Sequence, residues 1–264
     1  MSLPFDEEAV DYDDNFTKTP IGKYQRHLVW HWLDKSIVNF SGKHLLEINC
    51  GTGEDAIHMT EQGAKVLATD ISAQMIDQAQ NKLNYLTGSK PEFKRLDIRE
   101  MAFTIVQENA ERFDMIFSNF GGLNCLDHKE LKDFFINASD MLQDKGRIIV
   151  VLMAKHCLWE RMYFSFKGKK PRRNTENAVH AEIAGTDFPV WYYSRNEIRD
   201  ISRDLFKIKS TKPIGFFIPP SYLNKYFSKH KVIFKLLKKL DSLMRSVAFL
   251  SDYSDHIYIE LEKK

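Results

Sequence analysis

Residues 44–55, His-Leu-Leu-Glu-Ile-Asn-Cys-Gly-Thr-Gly-Glu-Asp, constrain this chain more than any other stretch, because they join an apolar strand to a helix through a turn open to a ligand. Leu45, Leu46 and Ile48 predict a short buried strand. Gly51 and Gly53 let the backbone turn sharply with no Cβ in the way, and Ala56, Ile57 and Met59 begin a helical spacing. A second strand-like run, residues 65–69, ends at Asp70, 19 residues after Gly51. An acid at the tip of the second strand of a strand–helix–strand unit is placed to accept both hydroxyls of a ribose, so the spacing predicts a nucleoside ligand.

Gly51-x-Gly53-x-x-Ala56 also fits the relaxed dinucleotide fingerprint, and the charges around it decide between the two cofactor classes. A pyrophosphate would rest on the N-terminus of the following helix, yet that helix opens with Glu54 and Asp55, and Glu47 adds a third acid at the strand end. Acids there suit a ligand carrying an ammonium and a sulfonium. At this point the chain resembles the class I S-adenosylmethionine-dependent methyltransferases, whose first motif E/D-x-G-x-G-x-G stands here as Glu47-Ile-Asn49-Cys-Gly51-Thr-Gly53. Asn49 replaces the first glycine, and Asn is the non-glycine residue most at ease with positive φ. The resemblance implies S-adenosylmethionine as cofactor, with Asp70 on the ribose and Ile71 and Met75 just beyond it. It implies Asp97 on the adenine amine and Ile98 on its ring, and Asn119 and Phe120 beside the transferable methyl, with Asn124 further out. Tyr24 and Arg26 are the positions it offers for closing over the methionine end. The Asn-Pro-Pro-Tyr form of enzymes that methylate nucleobase amines is absent, which argues against that acceptor class.

At 264 residues the chain has room for one large α/β domain with an insertion. Thirty-eight basic and thirty-six acidic residues nearly cancel, so charge is informative only locally: acidic at 6–14, basic at 167–173 and 225–245. Cys50, Cys125 and Cys157 lack metal-site spacing and fit reduced thiols, and Met1-Ser-Leu-Pro-Phe runs straight into acids; together these predict a soluble, cytoplasmic protein.

Residues 1–20 are acidic and aromatic and predict a mobile entry segment. An amphipathic helix follows over 21–33. His27 and His31 lie one turn apart on it, but no third ligand accompanies them, so no metal is assigned. Ser72 caps a helix running to Gly88; strands follow at 92–96, 113–118 and 147–153, with a helix over 128–142 before the last of these. Residues 154–193 break the alternation with Trp159, Met162, Tyr163 and Phe164, a basic run at 167–173, and two strand-like pieces at 178–183 and 188–193. An insertion after strand five lies over the carboxyl ends of the strands and predicts a substrate lid. Ser194-x-x-Glu197 is a capping box, residues 207–217 a strand, 223–247 a basic amphipathic helix, and 256–261 a final alternating strand. The expected fold is α/β and Rossmann-like: a seven-stranded, mostly parallel sheet with helices on both faces. By the resemblance the last strand enters antiparallel between the fifth and sixth. Residues 1–39 form a capping segment and 40–264 the methyltransferase domain, with 154–193 and 221–250 covering the substrate.

The expected function is S-adenosylmethionine-dependent methyl transfer, at oxygen or carbon, to a small hydrophobic or lipid-like acceptor, with no nucleic acid as partner. His156, just beyond strand five, and His180, in the insertion, are the histidines placed to act as general base, with Asn119 lining the reaction centre. Two rival readings are a nicotinamide-dependent oxidoreductase and a nucleoside-binding regulator without activity. Large apolar side chains interleaved with Lys and Arg at 159–173 and 223–247 point to an acceptor with an anionic group or to peripheral contact with an anionic membrane; the plainer alternative is a stripe packed on the sheet with its lysines solvated.

Overall fold

The computed structural model describes residues 4–101, 105, 112–183 and 185–264. Its strands are β1 (His44–Ile48), β2 (Lys65–Asp70), β3 (Glu92–Arg95), β4 (Phe113–Ser118), β5 (Leu142–Met153), β6 (Val179–Ile183), β7 (Thr186–Val190), β8 (Phe206–Ile214) and β9 (His256–Lys263). Seven of them form one sheet in the order β3-β2-β1-β4-β5-β9-β8, and β6 and β7 form a separate hairpin. β1 to β5 pair in parallel, while β9 runs antiparallel to both β5 and β8. The expected sheet is therefore present, last strand included. Because β9 is reversed, its first residue, His256, lies beside Met153 at the carboxyl end of β5.

The helices described are α1 (Pro4–Glu8), α2 (Pro20–Ser36), α3 (Glu54–Glu61), α4 (Ala73–Lys82), α5 (His128–Met141), α6 (Leu158–Phe166), α7 (Arg195–Ser202), α8 (Asn224–Phe227) and α9 (Lys231–Met244). Successive side chains of a strand point to opposite faces, and the apolar residues of β5 divide accordingly: Ile148, Val150 and Leu152 pack with Phe134 and Phe135 of α5, Ile149 and Val151 with Leu28 and Val29 of α2 and Met59 of α3. A sheet covered on both faces needs such an unbroken apolar run. Burying each such Ile or Leu contributes about 1.5–3 kcal/mol, so these two layers dominate the stability of the fold.

Three expectations change. Residues 5–19, expected to be mobile, dock on the sheet's carboxyl edge: Asp6 accepts from Ser72 Oγ at 2.6 Å, Asp13 from Thr52 Oγ1 at 2.7 Å, and Phe5 meets Phe188 of the hairpin. The helix expected over 223–247 is broken into α8 and α9, where Ser228 Oγ and His230 Nδ1 engage the carbonyls of Lys225 and Tyr226. Side chains that bond the preceding turn compete with the helix ladder. The insertion contains a helix, α6, as well as its hairpin.

Candidate functional site

The turn after β1 holds Asn49, Gly51 and Gly53 at φ 54°, 52° and 80°, so Asn49 does adopt the left-handed conformation that its residue type tolerates. A Cβ on Gly53 would stand 2.5 Å from the Phe93 ring, and one on Gly122 would collide with Asn49. Both positions exclude larger residues, and the turn is packed from two sides.

Asp70, at the tip of β2, is buried and accepts from Gly51 N and from Ser72 N, each at 2.9 Å. Burial pushes its carboxyl above the usual range, although the Ser72 and Gly51 N–H groups pull it back. Glu47 is buried as well; burial first, then the charge of Asp55, push its carboxyl well above the usual range. Asp55 is the hub of the site. It accepts from Arg26 Nη1, from Trp30 Nε1 at 2.6 Å and from Asn119 Nδ2 at 2.9 Å. Its partner Arg26 is buried, and the Arg26 guanidinium lies 5.0 Å from the centre of the Phe120 ring. Glu54 is paired with Lys82 at 2.7 Å. Neither acid of the helix start is thus a bare negative charge. What stands beside that helix start is Asp13 of the N-terminal segment, bonded to Thr52 and ion-paired to Lys82 at 2.6 Å, in the region where a pyrophosphate would need room.

Beyond β4, Phe120 adopts φ 49°, and its ring meets Phe16 at 4.9 Å and His256 at 5.3 Å, both edge-on. His256 is buried; its Nδ1 stands 3.3 Å from Asp255 Oδ2 without a hydrogen bond's alignment and has no hydrogen-bond partner among the described residues. Asp255 in turn accepts from Gln25 Nε2 and from Arg173 Nη2, both at 3.0 Å, and Arg173 Nε donates to Glu160 Oε2 at 2.8 Å. Glu160, Arg173 and Asp255 are all buried, so this chain of charges ties the insertion to the start of β9. Burial alone would push Asp255 up; the charges of His256 and Arg173 outweigh it and hold the carboxyl well below the usual range.

Glu47, Asn49, Gly51, Gly53, Asp70, Ile71 and Met75 gather at the ends of β1 and β2, with Arg26, Asn119 and Phe120 linked to them through Asp55. Asp97 and Ile98 follow β3, half-buried; Asp97 accepts from Arg99 N at 2.9 Å and so also holds a turn. Three expected residues are not gathered there. Tyr24 turns to α9, its hydroxyl donating to Asp241 at 3.1 Å. His180 is exposed and pairs across the hairpin with Asp187, and His156 lays its ring against Tyr253. Asn119 touches Asp55 and the Phe120 N–H, which makes it a positioning group for Phe120 and Arg26. Asn124 locks the insertion to β5, donating to Trp191 O at 2.6 Å while Met153 N donates to it at 2.9 Å. His128, Glu176 and Glu197 bring ligand atoms within 4.8 Å of one another, but Lys155 Nζ already bridges both carboxylates, at 2.6 and 2.7 Å. Sequence reasoning passed over Asp13, Phe16, the Tyr12 ring that lies 5.8 Å from that of Phe16, and His256. The available signal was the Tyr12-Asp13 pair inside an acidic, aromatic stretch and the Asp255-His256 pair opening the last strand.

A family model described as a methyltransferase domain matches residues 45–146, the span that carries the glycine turn, Asp55, Asp70, Asp97 and Asn119. Residues 45–146 are a methyltransferase domain. Among curated proteins, the tRNA 5-carboxymethoxyuridine methyltransferase of Escherichia coli K12 is 35% identical over 77 residues, covering 28% of this chain and 30% of that protein. The demethylmenaquinone methyltransferase of Clavibacter sepedonicus is 24% identical over 151 residues, 57% of this chain and 56% of its own. The chain thus matches about a third to a little over half of the length of these relatives. The methyltransferase fold extends further than the sequence match: the magnesium protoporphyrin IX methyltransferase of Synechocystis PCC 6803, solved with bound S-adenosylhomocysteine, superposes at a TM-score of 0.58 and 17% identity over 91% of this chain and 83% of its own.

Proposed function

We propose that this chain transfers the methyl group of S-adenosylmethionine to a small hydrophobic acceptor bearing an acidic O–H or C–H. The observation that carries the reading is a set of buried polar atoms at and beside the methyltransferase turn with no hydrogen-bond partner among the described residues: Glu47 Oε2, Asn49 Nδ2 and Arg26 Nε. Buried polar atoms are nearly always satisfied, so three orphans around one turn are a fit for a ligand with both a cationic and an anionic end. Glu47 would hold the ammonium of the methionine moiety, Arg26 and Asn49 its carboxylate. Asp70 keeps one lone pair on each oxygen for the ribose hydroxyls, and Asp97 with Ile98 would hold the adenine. When bound, the cofactor supplies an electrophilic methyl on a sulfonium. As the C–S bond breaks and a C–O or C–C bond forms, charge is neutralised, so the protein's task is alignment and exclusion of water.

Phe16, Phe120 and His256 place three rings at the proposed reaction centre, which favours an acceptor with an apolar or aromatic body. His256, held beside the ionised Asp255, replaces His156 and His180 as the group to take the acceptor's proton. The related proteins named above act on unlike acceptors, a tRNA nucleoside among them, so the acceptor must be sought with this chain's own pocket. The N-terminal segment, the insertion and residues 221–250 are the proposed cover over it.

Thermal unfolding with S-adenosylmethionine, S-adenosylhomocysteine or NAD tests the cofactor: the first two should raise the melting temperature and NAD should not. Stabilisation by NAD alone would overturn the reading. Release of S-adenosylhomocysteine is then screened against phenols, quinols, fatty acids and tRNA. With the acceptor found, His256→Gln should keep cofactor affinity and lose about 10²–10⁴ in turnover.

A further inference from the structure

We propose that the face formed by α9 and the neighbouring α6 docks on an anionic lipid bilayer. This goes beyond the methyl-transfer reading and does not depend on it. Projected at about 100° per residue, α9 divides into three sectors. Phe234, Leu237 and Asp241 face inward: the first two join Ile21, Ile218 and Phe227 in a small apolar cluster, and Asp241 accepts from Tyr24 and from Phe217 N. The helix has therefore already used the face that holds it to the protein.

Beside that face lies a second apolar sector, about 120° wide, made of Val232, Ile233, Leu236, Leu243 and Met244. All five are exposed, Val232 by 84%, Leu243 by 69% and Leu236 by 57%. Packing against the rest of the protein, the plainer explanation of an apolar stripe, accounts for Phe234 and Leu237, which meet Ile21, Ile218 and Phe227 rather than the sheet, but not for these. The remaining sector carries Lys231, Lys235, Lys238 and Lys239. An apolar half and a basic half side by side on the exposed arc are what an interfacial helix presents: side chains enter the acyl boundary while ammonium groups reach the phosphates on long stems.

A second apolar stripe adjoins the first. Leu158, Met162 and Phe166 recur every four residues on α6, exposed, and the chain continues into Lys167, Lys169 and Lys170. α6 is joined to the α8–α9 region by Trp159 against Phe227 and by Tyr163 against Tyr222, with ring centres 5.8 and 5.6 Å apart. Charge chooses the occupant. Residues 221–250 hold seven Lys and Arg and a single acid, Asp241, which is buried. A second copy of this chain would set like charges against each other, whereas an anionic bilayer complements them. The proposed contact is with the surface of one leaflet; among the described residues no helix is long and apolar enough to cross a membrane.

The test uses the full chain with vesicles of phosphatidylcholine alone and of phosphatidylcholine mixed with phosphatidylglycerol. The protein should pellet with the mixed vesicles at low salt and be released as salt rises. The triple variant Lys231→Gln/Lys235→Gln/Lys239→Gln should partition about a hundredfold less, since each basic residue near such a surface is worth about fivefold. Val232→Ser/Leu236→Ser/Leu243→Ser should lose more than tenfold with charge unchanged. Both variants should keep the parent's melting temperature, because none of the six side chains is buried. Equal partition onto both vesicles, no pelleting at all, or a concentration-dependent dimer that the serine variant dissolves would each overturn the proposal. Failure of S-adenosylmethionine to stabilise the protein would leave it standing.

Discussion

Replacing Asp70 by alanine separates ligand binding from stability, because the structure gives this carboxylate opposite effects on the two. In the proposed complex it accepts from both ribose hydroxyls; charge-assisted bonds are worth about 1.5–3 kcal/mol each, and incomplete additivity brings the pair to about 2–4 kcal/mol. The dissociation constant for S-adenosylmethionine should therefore rise by about 30-fold to 800-fold. In the free protein the same carboxylate is buried, and burial outweighs the Gly51 and Ser72 N–H groups, since its pKa is raised. The sign follows. An acid whose folded pKa lies above its unfolded one costs stability once ionised, and regains it as pH falls through the folded value. Asp70→Ala should consequently leave the melting temperature at neutral pH unchanged or slightly higher, with water solvating the two freed N–H groups. Isothermal titration calorimetry and differential scanning calorimetry on one preparation measure both. A loss of affinity under about tenfold, which is only about 1.4 kcal/mol, would refute the ribose assignment. A clear drop in melting temperature would show instead that Asp70 chiefly holds the turn together.

Three further outcomes are expected. Glu47, pushed well up by burial and by Asp55, should lose its proton as the cofactor's ammonium arrives, so affinity should rise with pH above the ordinary carboxylate range and calorimetry in buffers of different ionisation enthalpy should register proton release; a pH-independent affinity would count against that contact. Asp97→Asn should weaken cofactor binding less than Asp97→Ala, because it keeps an acceptor oxygen; equal and negligible effects would leave Asp97 only its turn with Arg99. Arg173→Ala removes the guanidinium that bridges buried Glu160 and Asp255, leaving Asp255 to Gln25 and His256 and Glu160 to backbone N–H groups and the Arg172 guanidinium 3.8 Å away, and should cost about 3–5 kcal/mol of stability by denaturant unfolding, a value under about 1 kcal/mol being incompatible with the network. In the parent protein the contribution of Asp255, whose carboxyl is held low, should be present above the unfolded carboxylate range and vanish as acid protonates it.

What the sequence by itself determined was local. The strand, glycine turn and helix of residues 44–61, the acid nineteen residues after Gly51, and the strand pattern out to β9 all follow from side-chain periodicity and backbone sterics within one or two neighbouring elements. The motif resemblance added the order in which those strands assemble. Only the tertiary structure decided which residues meet. Asp55 looked like a charge set against phosphate, and its three partners, 25, 29 and 64 residues away, make it the hub that aims Arg26 and Asn119. Tyr24, one turn before Leu28 on the same helix, was drawn off to Asp241, 217 residues downstream. His256 alternates like any strand residue, and reaches Phe120 because β9 enters the sheet reversed, putting its first residue where the parallel strands put their last. Periodicity records which face a residue buries; which other buried face it meets is set by packing across the whole sheet, and no local spacing carries that information.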